Sequence, residues 1–341
     1  MSDQTLTRRE VVKVGAAGAA GAALALTAVG TAAEAPMPER PLGRTGHRVR
    51  IFSLGGQATI EKPGTRDESV AIVNRAIDLG VNYVDTAAAY GRPRTEGTPP
   101  WELNGWSQTY IGEVMATRRK EVFLASKTDD RTRDGSLRLL EQSLKLLKTD
   151  HLDLWQLHNI MRDEQLDQIF AKEGAIEALQ KAKDEKMVRF LGITGHYDPA
   201  VLMRGIERFP FDTILMALNP ADKHHLPFVS TVLALANKKG MGVIGMKIPA
   251  RGRIFKPEGI NGIKGPLTYV LSLPVSTVII GCDNVKQLEE NVAIAKAFQP
   301  MPAGDMAKLE GLTSTYVNDA SWFKKDAAGW IRPGDNDQNT D

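Results

Sequence analysis

The stretch Val81-Asn82-Tyr83-Val84-Asp85-Thr86-Ala87-Ala88-Ala89-Tyr90-Gly91 reads as a short apolar strand ending in Asp85, a turn of small residues, and then Tyr90. A carboxylate and a phenol five residues apart, just past a strand's carboxyl end, stand on one rim of a sheet. Two later stretches end in the same way. Glu121-Val122-Phe123-Leu124-Ala125-Ser126-Lys127 is an apolar strand closed by a lysine, and His151-Leu152-Asp153-Leu154-Trp155-Gln156-Leu157-His158 is one closed by a histidine. A lone polar residue at a strand end ordinarily just meets solvent. Successive strands that deliver four ionisable side chains to one edge describe a site.

Working outward, the same kind of apolar run recurs along the chain: Ile51–Leu54, Val81–Val84, Val122–Ala125, Leu152–Leu157, Val188–Ile193, Phe211–Leu218, Met241–Met246 and Val275–Ile280. Spacings of roughly 25–40 residues leave room for a crossover helix in each interval. Helical patterns fill the gaps. Asp67 and Ser69 are placed to cap a helix that runs through Leu79 and stops at Gly80, and Leu137, Leu140, Leu144 and Leu147 share one helical face. Eight such units predict an α/β chain folded as a (β/α)8 TIM barrel, with its active site at the carboxyl ends of the strands. The text PLGRTGHRVRIF from Pro41 to Phe52 predicts a β-hairpin ahead of the first unit, closing the barrel floor. A six-stranded dinucleotide fold needs a G-x-G-x-x-G turn after its first strand, and Leu54-Gly55-Gly56-Gln57-Ala58 does not supply one.

Composition excludes several classes of function. The chain has 341 residues, 42% hydrophobic and 25% charged, with a net charge of +2 and no long basic run, so nucleic acid is not an expected partner. One cysteine, Cys282, excludes a disulfide framework, and the six histidines make no metal-binding pair of the HExxH kind, so no metal is expected. His224 and His225 are adjacent, and neighbouring side chains diverge.

Residues 1–35 read as an export signal rather than as part of the fold. Thr7-Arg8-Arg9-Glu10-Val11-Val12-Lys13 precedes an Ala/Gly-rich run to about Ala33, and cleavage is expected after Ala33 or Ala35. The paired arginines resemble the twin-arginine signal, which implies the twin-arginine machinery as a partner and a periplasmic destination. If it is not cleaved, the run is long enough to anchor the protein in a membrane. The barrel is expected to occupy residues 36–317. A tail, 318–341, carries Trp322, Phe323 and Trp330, and its polar end from Gly334 is expected to be disordered. The long loop Gly91–Gly105, rich in proline, either walls a substrate pocket or is a surface excursion.

Taken together, PLGRTG, VNYVDTAAAYG, EVFLASK, SLKLLKTDHLDLWQLH and VIIGCDNVKQLEENV resemble the successive signatures of the aldo-keto reductase family, from about Arg40 to Ala297. The resemblance implies that Asp85, Tyr90, Lys127 and His158 are the catalytic positions. It also implies hydride transfer between a nicotinamide dinucleotide, NADP(H) ahead of NAD(H), and a small carbonyl or alcohol substrate. Chemistry supports those roles independently. A phenol with a pKa of about 10 is a weak acid near neutrality. A lysine cation beside Tyr90 favours its phenolate, Asp85 is the counter-ion that makes a buried Lys127 tolerable, and His158 is placed to orient a carbonyl oxygen.

By the same resemblance the cofactor-binding residues are Gly56, Thr194, Gly195, Met246, Lys247, Arg253, Gly281, Gln287 and Asn291. Here the chain departs from the common pattern. Thr194-Gly195 stands where many members have Ser-Asn, with His196 next to it, and Leu215 replaces a glutamine. Met246-Lys247 replaces a stacking aromatic, and Gln287 replaces an arginine for the 2′-phosphate. Arg251, Arg253 and Lys286 are the basic residues left to take that phosphate. Trp101, Trp106 and Trp155 are the expected substrate-binding aromatics, and the oligomeric state is not legible. Two further readings stand beside the reductase. One is a redox-neutral enzyme, such as an epimerase of a sugar or steroid alcohol, that keeps its NAD(P). The other is a non-catalytic nucleotide-binding subunit.

Overall fold

A computed structural model describes residues 36–93 and 95–324 of the chain. The expected export signal, Trp330 and the polar end of the tail lie outside the described residues. The compact unit that begins at Met37 carries the whole of the barrel.

Eight parallel strands close on themselves in the order β10-β3-β4-β5-β6-β7-β8-β9. They are β3 (Phe52–Gly55), β4 (Tyr83–Asp85), β5 (Phe123–Thr128), β6 (Leu152–Leu157), β7 (Val188–Gly195), β8 (Thr213–Ala217), β9 (Gly242–Met246) and β10 (Thr277–Ile280). Each lies within, or extends by one to three residues, one of the apolar runs read from the sequence. Helices α1 (Arg66–Asp78), α2 (Trp106–Arg118), α3 (Arg133–Leu146), α4 (Asp163–Phe170), α5 (Ala175–Asp184), α6 (Pro199–Arg208), α7 (Ala234–Lys238), α8 (Lys264–Ser272), α9 (Val285–Lys296) and α10 (Ala303–Thr313) fill the intervals and follow the last strand. The expected cap of α1 is moved. Thr65 is the N-cap, and its hydroxyl donates to Thr59 O and Lys62 O at 2.7 and 2.8 Å.

Side-chain alternation along the strands sorts the core into two shells. Leu54, Val84, Leu124, Trp155, Leu157, Leu191, Ile193, Ile214, Val243 and Val278 face outward into the helix layer. Tyr83, Phe123, Ala125, Leu154, Leu215, Ile244 and Ile279 fill the barrel interior. Leu42 and Val49 join that inner cluster. They come from an antiparallel hairpin, β1 (Glu39–Pro41) and β2 (Arg48–Arg50), whose register pairs Arg40 with Val49. Gly43, at φ +54°, lies so close to the start of β9 that an added Cβ would meet Gly242 N at 2.1 Å. Two buried side chains and a glycine thus seat the hairpin on the barrel floor.

The segment after α10 is not a loose tail up to Lys324. Trp322, Phe323 and Lys324 are all buried. Lys324 forms an ion pair with Asp222 and also donates to the carbonyls of His225 and Leu226 at 3.2 and 3.1 Å. Burial lowers the Lys324 pKa, against the opposing charge of Asp222. Removing one partner of such a pair leaves an uncompensated charge. Asp222→Ala is therefore expected to cost about 3–5 kcal/mol of stability, read as a lowered midpoint in denaturant; an unchanged midpoint would mean that the pair holds nothing.

Candidate active site

Alternation decides which residues of β4, β5 and β6 point into the barrel mouth. Counting from the interior residues Tyr83, Phe123 and Leu154, every second side chain faces inward: Asp85 on β4, Ala125 and Lys127 on β5, Gln156 and then His158 at the end of β6. The turn after β4 then brings Tyr90 over them. Lys127 Nζ donates to an Asp85 carboxylate oxygen, to Thr86 O at 2.9 Å and to the Tyr90 hydroxyl at 3.0 Å. The ammonium also lies 4.5 Å from the centre of the Tyr90 ring. His158 meets that ring edge-on, with centroids 5.6 Å apart. All four side chains are buried, with Asp85 at 0% exposed and Tyr90 at 6%.

Burial pushes the Asp85 carboxyl above its ordinary range, and the Lys127 ammonium pulls it back. Gln156, which the sequence reading did not single out, donates to the other Asp85 oxygen at 3.3 Å. Its place two residues before His158 was the signal: the same alternation that aims the histidine aims the glutamine.

Above the tetrad opens a cavity of about 940 Å³, with Tyr90, His158 and Asn159 in its floor. The loop after Gly91 forms one wall through Arg92, Pro93, Thr95, Glu96, Thr98, Pro100 and Leu103. Arg92 and Asp129 pair through two hydrogen bonds, one of them Nη1 to Oδ1 at 3.1 Å. Burial raises the Asp129 pKa, but the bonds and charge of Arg92, with the charge of His158, outweigh it and hold the carboxyl below its usual range. Arg131 braces the floor, donating to the carbonyls of His158 and Asn159 at 2.8 and 3.3 Å.

None of the expected tryptophans lines this cavity. Trp155 has odd parity on β6, so it faces the helix layer and is fully buried there. Trp101 lies under the Arg138 guanidinium at 5.0 Å, and Trp106 stacks on Tyr110 at 5.8 Å. The cavity walls instead mix charged side chains such as Glu61, Arg92 and Asp129 with Pro63, Pro93, Leu103 and Met161.

A narrow cleft of about 10 Å³ continues below, between Tyr90, Lys127 and His158 on one side and Thr194, His196, Leu215, Met246 and Lys247 on the other, with Gln57 and Asn159 at its edges. Gln57, Asn159, Met246 and Lys247 are its partly exposed members, so they are the side chains that can give way to an incoming ring. Thr194 Oγ1 accepts from Asn159 N at 2.8 Å, and Asn159 is held at φ +51°, a conformation asparagine tolerates well. Three of the expected cofactor-binding residues are glycines packed closely on neighbouring groups. Gly195 has outward parity, and an added Cβ would meet Ile160 O at 2.7 Å and Leu202. The Gly56 N–H is engaged by Asp85 O at 2.7 Å. Gly281 packs on the Gln57 carbonyl, where an added Cβ would come within 2.9 Å.

The remaining expected residues lie further along the rim. Gln287 accepts from Asp283 N at 2.6 Å, and Asn291 donates to Cys282 Sγ at 3.6 Å. Arg251 is 3.7 Å from Glu61, Lys286 is 4.0 Å from Glu290 with 86% of its side chain exposed, and Arg253 lies over Trp322. Two buried acceptors fit a nicotinamide dinucleotide: Asn159 Oδ1 in the cleft and Asn291 Oδ1 at the far rim have no hydrogen-bond partner among the described residues. Each is an amide oxygen that a ligand N–H would satisfy.

The sequence is 25% identical over 304 residues to the uncharacterized oxidoreductase YqkF of Bacillus subtilis, covering 76% of this chain and 92% of that one. It is 30% identical over 288 residues to L-galactose dehydrogenase of Arabidopsis thaliana, covering 74% and 86%. An aldo-keto reductase from Klebsiella pneumoniae in complex with NADPH shares the fold, with a TM-score of 0.67 at 19% identity over 82% of this chain and 96% of that one. Residues 52–267 match the Aldo/keto reductase family. With that match spanning more than half of its length, and with the barrel closed as described, the chain belongs to the aldo/keto reductase family.

Proposed function

We propose that this protein is a nicotinamide-dependent oxidoreductase that interconverts a hydroxylated carbonyl compound and its alcohol, with Tyr90 as the proton donor. The observation that carries the reading is the 3.0 Å contact between Lys127 Nζ and the Tyr90 hydroxyl at the floor of the cavity. A cation at that distance stabilises the phenolate and so strengthens the acid. Asp85 is the counter-ion that offsets the cost of burying the Lys127 ammonium. His158 lines the same floor and is placed to bond the substrate oxygen as negative charge grows there. A bound nicotinamide supplies the hydride in reduction and accepts it in oxidation. Thr194, Met246 and Asn159 would hold its ring end, and Gln287 and Asn291 its adenosine end. The charged groups in the cavity wall and the similarity to L-galactose dehydrogenase favour a hydroxylated substrate over a flat apolar one.

The same proposal includes export by the twin-arginine route, so the test begins with protein purified from the exported fraction. Titration of that protein with NADPH and NADH is expected to show NADPH binding more tightly, with a margin that narrows as salt screens the charge. One charge-assisted contact to the extra phosphate is worth about one to two decades in affinity. The exposed Asp283 carboxylate near Gln287 sets the margin at the low end. Equal affinities indifferent to salt would remove NADP(H) from the reading. A nucleotide that co-purifies in full stoichiometry and resists exchange would favour the redox-neutral enzyme instead.

A further inference from the structure

The loop after β9 carries Lys247, Arg251 and Arg253, and three of its non-glycine residues, Lys247, Ala250 and Arg251, sit at positive φ. Such backbone costs free energy at each residue and persists only where surrounding structure over-determines it. The surrounding structure here is the segment that follows α10. Trp322 is 7% exposed, and its indole N–H donates to Ala250 O at 3.3 Å. The Lys247 ammonium lies 5.5 Å from the centre of the Trp322 ring and the Arg253 guanidinium 4.8 Å. Asn219 Nδ2 ties the two segments together, donating to Lys247 O at 3.2 Å and to Ala320 O at 3.1 Å. The buried Lys324–Asp222 pair fastens the segment immediately beyond.

We propose that the Trp322 ring is the positioning platform for Lys247 and Arg253, and that through them it sets the affinity for the phosphates of the dinucleotide. The inference rests on the nicotinamide reading above. A dinucleotide that runs from the cleft at Met246 to Asn291 on α9 passes the loop joining β9 to the β10 unit, and its linking phosphates need cations there. Lysine and arginine side chains lose much rotamer freedom when they are ordered on a ligand. A ring face that orders them beforehand removes part of that cost. Trp322 touches neither substrate nor the reacting atoms in this scheme. It acts through two cations.

Calorimetric titration with NADPH tests the proposal on a pair of variants. Trp322→Leu keeps apolar bulk but removes the ring face, and Trp322→Phe keeps a ring. The leucine variant is expected to bind NADPH about tenfold more weakly, the size of two exposed cation–ring contacts, with a shallower dependence on salt and an unchanged kcat at saturating cofactor. The phenylalanine variant is expected to stay near wild type. In a Lys247→Met/Arg253→Leu background, Trp322→Leu is expected to add no further loss, because its route of action is gone. Trp322→Met takes the place of the leucine variant if the latter does not fold. Leucine and phenylalanine variants that bind alike, or a loss that persists in full without the two cations, overturn the proposal while leaving the cofactor reading intact. Wild-type protein that binds neither nucleotide overturns both.

Discussion

Lys127→Met is expected to cost this protein both its chemistry and part of its stability. The lysine contacts Tyr90 OH, Asp85 and Thr86 O together, so its loss removes the tuning of the acid. It also leaves a fully buried carboxylate with, among the described residues, Gln156 at 3.3 Å as its remaining side-chain donor. Losing one member of a buried pair typically costs about 3–5 kcal/mol. The pH dependence identifies the cause. Burial already holds Asp85 above the ordinary carboxylate value of about 4, and without Lys127 it rises further. A raised folded-state pKa means that the folded protein binds the proton more tightly than the unfolded chain. The Asp85 contribution is therefore most favourable below pH about 4 and is lost as pH rises through the folded-state value. Thermal midpoints measured from pH 4 to 8 should fall more steeply than those of wild type. Asp85→Asn is expected to be milder in turnover, since the lysine keeps its contacts to Tyr90 and Thr86. If Asp85→Asn is the more damaging in folded protein, the order of dependence is wrong.

Tyr90→Phe is expected to remove carbonyl reduction while sparing cofactor affinity. The substitution deletes one hydroxyl and leaves the ring that His158 meets edge-on. A well-placed general acid contributes about 10²–10⁴-fold, and that is the loss expected in kcat. The dissociation constant for nucleotide should move little, because the hydroxyl serves the substrate's oxygen. A variant that reduces a good substrate at the wild-type rate would remove Tyr90 from the chemistry.

The barrel was legible because its signal is repeated: eight apolar runs at regular intervals predict eight strands, and each strand formed where its run lies. The tetrad was legible for a related reason. Asp85, Lys127 and His158 close successive runs, and strand alternation carries equivalent positions to the same side. The same rule, applied further, marks Trp155 and Gly195 as outward-facing and Gln156 as inward-facing. The tryptophans were assigned by composition rather than parity, and Trp155 fails for that reason. Arg92, Asp129 and Arg131 belong to loops, where no period tells which side chain turns inward. The anchoring of Trp322, Phe323 and Lys324 depends on Asp222 and the loop after β9, about a hundred and about seventy residues earlier in the chain respectively. No local pattern encodes contacts of that range.

The distribution of the site around the barrel has a consequence for how such a protein can change. Asp85, Tyr90, Lys127 and His158 all come from the units of β4, β5 and β6, within one contiguous span of chain. The candidate cofactor contacts Thr194, Met246, Lys247, Gln287 and Asn291 come from β7 onward. The acid machinery thus sits in one half-barrel and most of the candidate cofactor contacts in the other, with Asn159 just past β6 reaching across, and the halves meet where β6 pairs with β7 and where β10 pairs with β3. Substitutions can accumulate in the second half, altering which nucleotide is held and how firmly, while the acid machinery in the first half stays untouched. The unusual residues at Thr194-Gly195, Leu215, Met246-Lys247 and Gln287 all fall on that second half.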